Sequence, residues 1–257
     1  MSTRWRLALL ALGFAALIVP VWHVVQALPG FGTPIELYGP TVNELLPSMR
    51  HVTNMVAAVN FDVRGIDTLG EESMLVCAVT GAVVLLRGRR GEDMSARAGR
   101  VAGRAQAERA DATILLCRIG ASLILLFGIY MVLHGTVTPG GGFQGGVIAA
   151  SSLMLLYLGE GYASWRALVR TPVLEILEGG GAFVFVAAAA VPLAIGYAAL
   201  ENILPFGQPK DLFSGGLMVI VNFAVGLSVT GSFALVLLEF MEETRSPAED
   251  PVPDEED

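Results

Sequence analysis

Apolar residues in this chain gather into long blocks, at 5–28, 68–86, 112–133, 143–159, 173–199 and 213–240. Each reaches or approaches the roughly 20 residues that a helix needs to cross the hydrocarbon core of a bilayer. In lipid every backbone donor and acceptor must be satisfied within its own segment, so the blocks predict an all-α integral membrane protein with about six transmembrane helices. The first block follows Arg4 and Arg6 and is broken only by Pro20 and His23. It is longer than a signal-peptide core and lacks a small-x-small cleavage site, which predicts a retained anchor. His23 reads as an interfacial histidine.

Between the first two blocks the pattern changes. Pro29, Pro34, Pro40 and Pro47 precede a short apolar run, Val52 to Phe61, that contains Asn54 and Asn60. It is too short to span, and an interfacial or re-entrant helix is expected. The sharpest break lies between the third and fourth blocks, in HGTVTPGGGFQGG from His134 to Gly146. Pro139, Gly140, Gly141, Gly142, Phe143, Gly145 and Gly146 leave no regular helix through this stretch. It is either a hairpin loop between two spans or a loop that also lines an ion path. Without a GxxxxGK[ST] pattern it is not read as a phosphate loop.

Composition agrees with the blocks: 54% of residues are hydrophobic and only 16% charged, well below the quarter usual for soluble domains. The net charge of −8 belongs to the tail, since residues 239–257 hold nine acids and one arginine, leaving fifteen of each sign before them. Residues 242–257, ending PVPDEED, read as a disordered solvated tail, with a docking role as the alternative. Residues 87–109 carry seven arginines, the mark of a cytoplasmic linker. With six spans and both termini cytoplasmic, thirteen arginines fall inside or at the inner boundary, and only Arg50, Arg64 and Lys210 fall outside. The 29–66 segment and the glycine break then face the exterior. Small-xxx-small spacings at Gly145, Gly146, Ala149, Ala150 and Ser152, and again at Gly179 to Gly181, predict close helix packing.

Candidate chemistry is confined to ionisable groups near membrane depth. Asp67 and Glu71 stand four apart at the start of the second span, on one helix face that can pass a cation or proton between carboxylates. The alternative is complementing the helix dipole, and Glu72 is read that way. His134, Thr136 and Thr138 form a second group: the histidine can relay protons and the hydroxyls can replace part of an ion's hydration, or His134 caps its helix. Glu175 and Glu178 read chiefly as dipole complement. Cys77 and Cys117 read as packing residues. No catalytic group, cofactor motif, metal site or redox centre is visible, and nothing points to nucleic acid.

HGTVTPGGGFQGGVIAASSL, from His134, closely resembles the signature of the B subunit of Mrp-type cation/proton antiporters, the MnhB family, and FSGGLMVIVNFAVGLSVTG at 213–231 is similar to that family's last helix. The family often has a charged residue near Ser228. NFDVRGIDTLGEESMLV at 60–76 resembles the FRGFDTLGE segment of the large Mrp A subunit and of the E subunit of related membrane hydrogenases, with Val63 and Ile66 in place of phenylalanine. The resemblance implies a two-span module over 1–88, an arginine-rich linker over 89–111 and a four-span MnhB-like domain over 112–241. It implies a bacterial or archaeal cytoplasmic-membrane subunit, itself no enzyme, of a complex exchanging Na+ or another monovalent cation for H+. Its partners would be large A- and D-type and small C-, E-, F- and G-type Mrp subunits. Asp67 and Glu71 are the leading candidates for the ion route, followed by His134, Thr136 and Thr138, with the glycine loop structural. The alternative is the ion-translocating arm of a complex I-related hydrogenase or oxidoreductase. A third reading is a subunit that only seals helices between larger partners.

Overall fold

The computed structural model describes residues 3–28, 38–92 and 110–243. Most of the arginine linker and nearly all of the acidic tail lie outside the described residues. The elements are α1 (Thr3–Ala27), α2 (Tyr38–Arg50), α3 (Met55–Ala58), a π-helical turn (Val59–Val63), α4 (Gly65–Glu92), α5 (Asp111–Leu133), α6 (Gly142–Glu160), α7 (Tyr162–Leu168), α8 (Thr171–Ala194) and α9 (Leu217–Glu243). Six of them, α1, α4, α5, α6, α8 and α9, are long and apolar enough to cross a membrane. The protein is thus a multi-pass, all-helical membrane protein. Its chain divides into two units, residues 1–41 and 42–257. The span of the first is α1, which carries Pro20 within it.

The second unit is built around α9. A helix apolar on all sides is stable only when surrounded, and α9 packs against α4, α5, α6 and α8. Its span is 61% buried, whereas that of α5 is 11% buried and turns most of its apolar surface outward. Directions follow from close approaches. A Cβ on Gly181 of α8 would lie 2.6 Å from the Ser228 amide of α9, and one on Gly231 of α9 would lie 2.6 Å from the Leu174 carbonyl of α8, so the two run antiparallel in backbone contact. Arg87 at the far end of α4 meets Glu239 at the far end of α9, so α4 runs parallel to α9 and antiparallel to α8. The small residues expected in the fourth span, Gly145, Gly146, Ala149, Ala150 and Ser152, are all buried. In the fifth span only Gly181 makes the expected close approach, since Gly179 and Gly180 face open space.

Residues 52–61 do not span. They comprise a short non-helical stretch, α3 and the start of the π turn, and their Val52, Ala57, Ala58 and Phe61 pack into one core with Leu217, Met218 and Val221 of α9. Arg50 at the end of α2 reaches Asp62 of the turn at 2.6 Å. Two helices depart from expectation. No helix was expected at α2, in the proline-bearing segment, yet it is helical with Pro47 inside, and α7 occupies what looked like a short connection. The fifth span ends at Ala194 rather than near 199, because the chain turns at Gly196, with φ of 91°.

Candidate functional site

The glycine break is a knot tied by two asparagines. Gly140 and Gly141 have φ of 148° and 145°, conformations that an L side chain rarely adopts, and they turn the chain from α5 into α6. Such a turn inside a packed bundle leaves backbone groups without helical partners. Asn222 of α9 supplies them on one side: its Nδ2 donates to the Val132 carbonyl and its Oδ1 accepts from the Gly142 amide, both at 2.7 Å. Asn54 supplies them on the other. Its Nδ2 donates to the carbonyls of Gly135 at 2.7 Å and Thr138 at 2.9 Å, while its Oδ1 caps α3 through the amides of Val56 and Ala57. The Thr53 and Asn54 amides both donate to the Thr136 carbonyl.

Within this knot the three expected residues lie apart in role. His134 Nδ1 lies 3.0 Å from the Tyr130 carbonyl of its own helix, and its ring stacks on Tyr130 at 4.0 Å between centroids. That is the capping geometry. Thr138 turns its hydroxyl back to the His134 carbonyl at 3.3 Å. Thr136 is buried, and its hydroxyl has no hydrogen-bond partner.

The carboxylates of α4 separate by face. Asp67 is exposed and pairs with Arg64. Glu71 is also exposed and lines a cavity of about 220 Å³ together with Asn60, Thr68, Gly140, Gly141 and Gln144. Glu72, read from sequence as a dipole complement, is instead buried, at 3% exposure. It is the eighth residue of α4, beyond the first turn to which the dipole effect is limited. The Ser228 hydroxyl of α9 faces its carboxyl and the Glu178 carboxyl of α8 lies within electrostatic reach. Neither Glu72 Oε1 nor Ser228 Oγ completes a hydrogen bond.

Glu178 is also deep, the eighth residue of α8 and 9% exposed, and its Oε1 accepts from the Ser232 hydroxyl at 2.9 Å. Below it the column ends in ion pairs: Arg87 donates to Glu239, at 2.8 Å, and to Glu175, at 2.9 Å. Because α4 and α8 run in opposite directions, each carboxylate sits about 10 Å inside its own end of the bundle, and the two approach from opposite sides. Sequence reasoning assigned Glu72 to complementing a helix dipole, and Glu178 chiefly so, and gave no role to Asn54 or Asn222. Glu72 shares a face of α4 with Val79 and Val83, seven and eleven residues on, but that this face is the buried one is shown only by the packing.

An all-helical bundle with buried carboxylates at the junction of three apolar spans defines a polytopic membrane protein built to handle ions. Residues 113–235 match the family model described as the domain related to the MnhB subunit of Na+/H+ antiporter. A putative antiporter subunit mnhB2 of Staphylococcus saprophyticus is 31% identical over 124 residues, covering 47% of this chain and 86% of the relative. The chain belongs to the MnhB family. An uncharacterized protein of Methanocaldococcus jannaschii is 30% identical over 212 residues, 74% of this chain and 78% of the relative. Among solved structures, a chain of the membrane-bound sulfane sulfur reductase, an archaeal respiratory membrane complex, superposes with a TM-score of 0.67 at 27% identity, over 90% of this chain and 97% of that one. A chain of the Mrp complex from Dietzia sp. DQ12-45-1b shares the fold, with a TM-score of 0.67 at 20% identity, over 98% of this chain but 27% of that one.

Proposed function

We propose that this chain is a membrane subunit of a multisubunit Mrp-type antiporter, helping to form the route by which a monovalent cation, Na+ foremost, is exchanged for protons. The observation that carries a transport role is the pair of buried carboxylates, Glu72 and Glu178, at the junction of α4, α8 and α9. Ionisable groups are costly at membrane depth, and their retention there marks an ion path. Family membership supports the kind of assembly. The FRGFDTLGE-like segment supports a two-span E-like module joined to the MnhB domain, with large A- and D-type and small C-, E-, F- and G-type subunits as partners. The arginine bias supports cytoplasmic termini and linker. Asp67 and Glu71 serve this reading as an outer funnel that draws cations toward the cavity, and Thr136 offers it an unpartnered hydroxyl near the break.

A second reading has a specific observation behind it. Similarity over nearly the whole length of a chain from a respiratory complex supports an ion-translocating membrane arm coupled to redox chemistry in other subunits. Purification of the full chain in mild detergent, with mass spectrometry of the proteins that accompany it, separates the two. Antiporter-like membrane subunits without a redox partner are expected. Iron-sulfur or other metal-bearing subunits in stoichiometric amounts would replace the first reading with the second.

A further inference from the structure

We propose that Glu72, Ser228, Glu178 and Ser232 form a proton relay through the α4–α8–α9 interface, linking the Glu71-lined cavity to the Arg87–Glu175–Glu239 cluster. The relay deepens the antiporter reading and rests on it for its physiological use. Three observations carry it. Glu72 and Ser228 are both more than nine-tenths buried and adjacent, with neither Glu72 Oε1 nor Ser228 Oγ in a hydrogen bond of full geometry. Fully buried polar atoms are rarely left so, and an unpartnered carboxylate oxygen opposite an unpartnered hydroxyl is the arrangement a mobile proton completes. Gly181, one turn beyond Glu178, brings α8 into backbone contact with α9 at Ser228. Ser232, one turn further along α9, already donates to Glu178.

The charges around the relay are accounted for from each side. Arg87 of α4 is taken up by Glu239 of α9 and Glu175 of α8, Asp62 of the π turn is held by Arg50, and α6 carries no Asp, Glu, Lys, Arg or His before Glu160. No cation faces the pair among the described residues, so it accommodates one negative charge more readily than two. One transfer runs as follows. The acid proton of Glu72 passes to the Ser228 oxygen as that hydroxyl releases its own proton along α9 to the Ser232 oxygen, and Ser232 releases its hydroxyl proton to Glu178, to which it already donates. The products are the Glu72 carboxylate, the Glu178 acid and two unchanged serines, with one proton moved and no other bond altered. The next proton comes from the side of the cavity, which Glu72 itself does not line. The cavity wall includes Glu71 and Val225, respectively the sequence neighbour of Glu72 and the residue one turn before Ser228 on α9.

The test uses everted membrane vesicles holding the full chain with its native partners. E72Q and E178Q should each lower cation-driven proton movement by about tenfold or more. E72D, which keeps a titratable group, should recover part of the rate, and E44Q, at an exposed acid, should match wild type. Infrared spectroscopy of the purified assembly provides a readout that does not depend on antiport. A carboxylic-acid carbonyl band should titrate with pH, vanish in E72Q or E178Q, and shift in S228A. Wild-type rates in both glutamine variants, or an infrared band indifferent to all three substitutions, would overturn the relay. Vesicles of wild type that move no protons in response to any monovalent cation would defeat the antiporter reading instead, leaving the infrared result to decide the relay. Should E72Q fail to assemble, E72D and S228A carry the same comparison.

Discussion

Asn54 and Asn222 show how much of this bundle hangs on single polar side chains. Asn222 joins the end of α5 to the start of α6 through two buried hydrogen bonds. Asn222→Ala leaves the Gly142 amide and the Val132 carbonyl without partners, at a cost of about 1–3 kcal/mol. A lowered midpoint of thermal unfolding of the detergent-purified assembly is the expected result. Arg87 poses the converse case. Glu239 is buried and Arg87 donates to it at 2.8 Å, so Arg87→Ala removes a charge-assisted hydrogen bond from a buried carboxylate. The single variant should assemble poorly, and adding Glu239→Gln should restore much of the yield. Equal yields from the single and double variants would place the weight of Arg87 on Glu175. Neither contact was legible in the sequence, where Asn54 stood only as a polar interruption in a short run and Asn222 as one residue of an apolar span.

Among elements, α9 was legible as a span but not as the hub. Its block is no more apolar than that of α5, with mean hydropathy of 2.0 against 2.2, yet one is enclosed and the other faces outward. What separates them is the number of neighbours: α5 packs chiefly against α6, with backbones touching at Gly128 and Gly145, whereas α9 is surrounded by α4, α5, α6 and α8 and touches the backbone of α8 at Gly181 and Gly231. Gly231→Leu should therefore separate α8 from α9, because a side chain there meets the backbone of Leu174 and Glu178. The same change at Gly179, which faces open space, should be tolerated. Blue-native electrophoresis of the assembly distinguishes them, and equal behaviour of the two would contradict the packing. Span boundaries were legible to within a few residues, and the chief error, at the end of α8, came from carrying the apolar block through Pro192 and Gly196, where the backbone turns.

For the chain as a whole, the proposed orientation rests on arginine distribution. In a variant with Cys77 and Cys117 replaced by alanine, Ala102→Cys should react with a membrane-impermeant maleimide only from the cytoplasmic side. Labelling of intact cells from outside would invert the proposed topology, and with it the side on which the Glu71-lined cavity opens. The number of spans, their approximate limits and the family were all readable from linear order, because a hydrophobic block of fixed length meets a bilayer of fixed thickness and a glycine motif keeps its spacing whatever surrounds it. The working face of α4 was not. Glu71 and Glu72 are adjacent in sequence but about 100° apart around the helix, and the apolar residues of a span do not by themselves say which side turns inward. That rotation is set by what α4 packs against, and the placement of α8 and α9 beside it puts Glu72 in the interior and leaves Asp67 and Glu71 exposed.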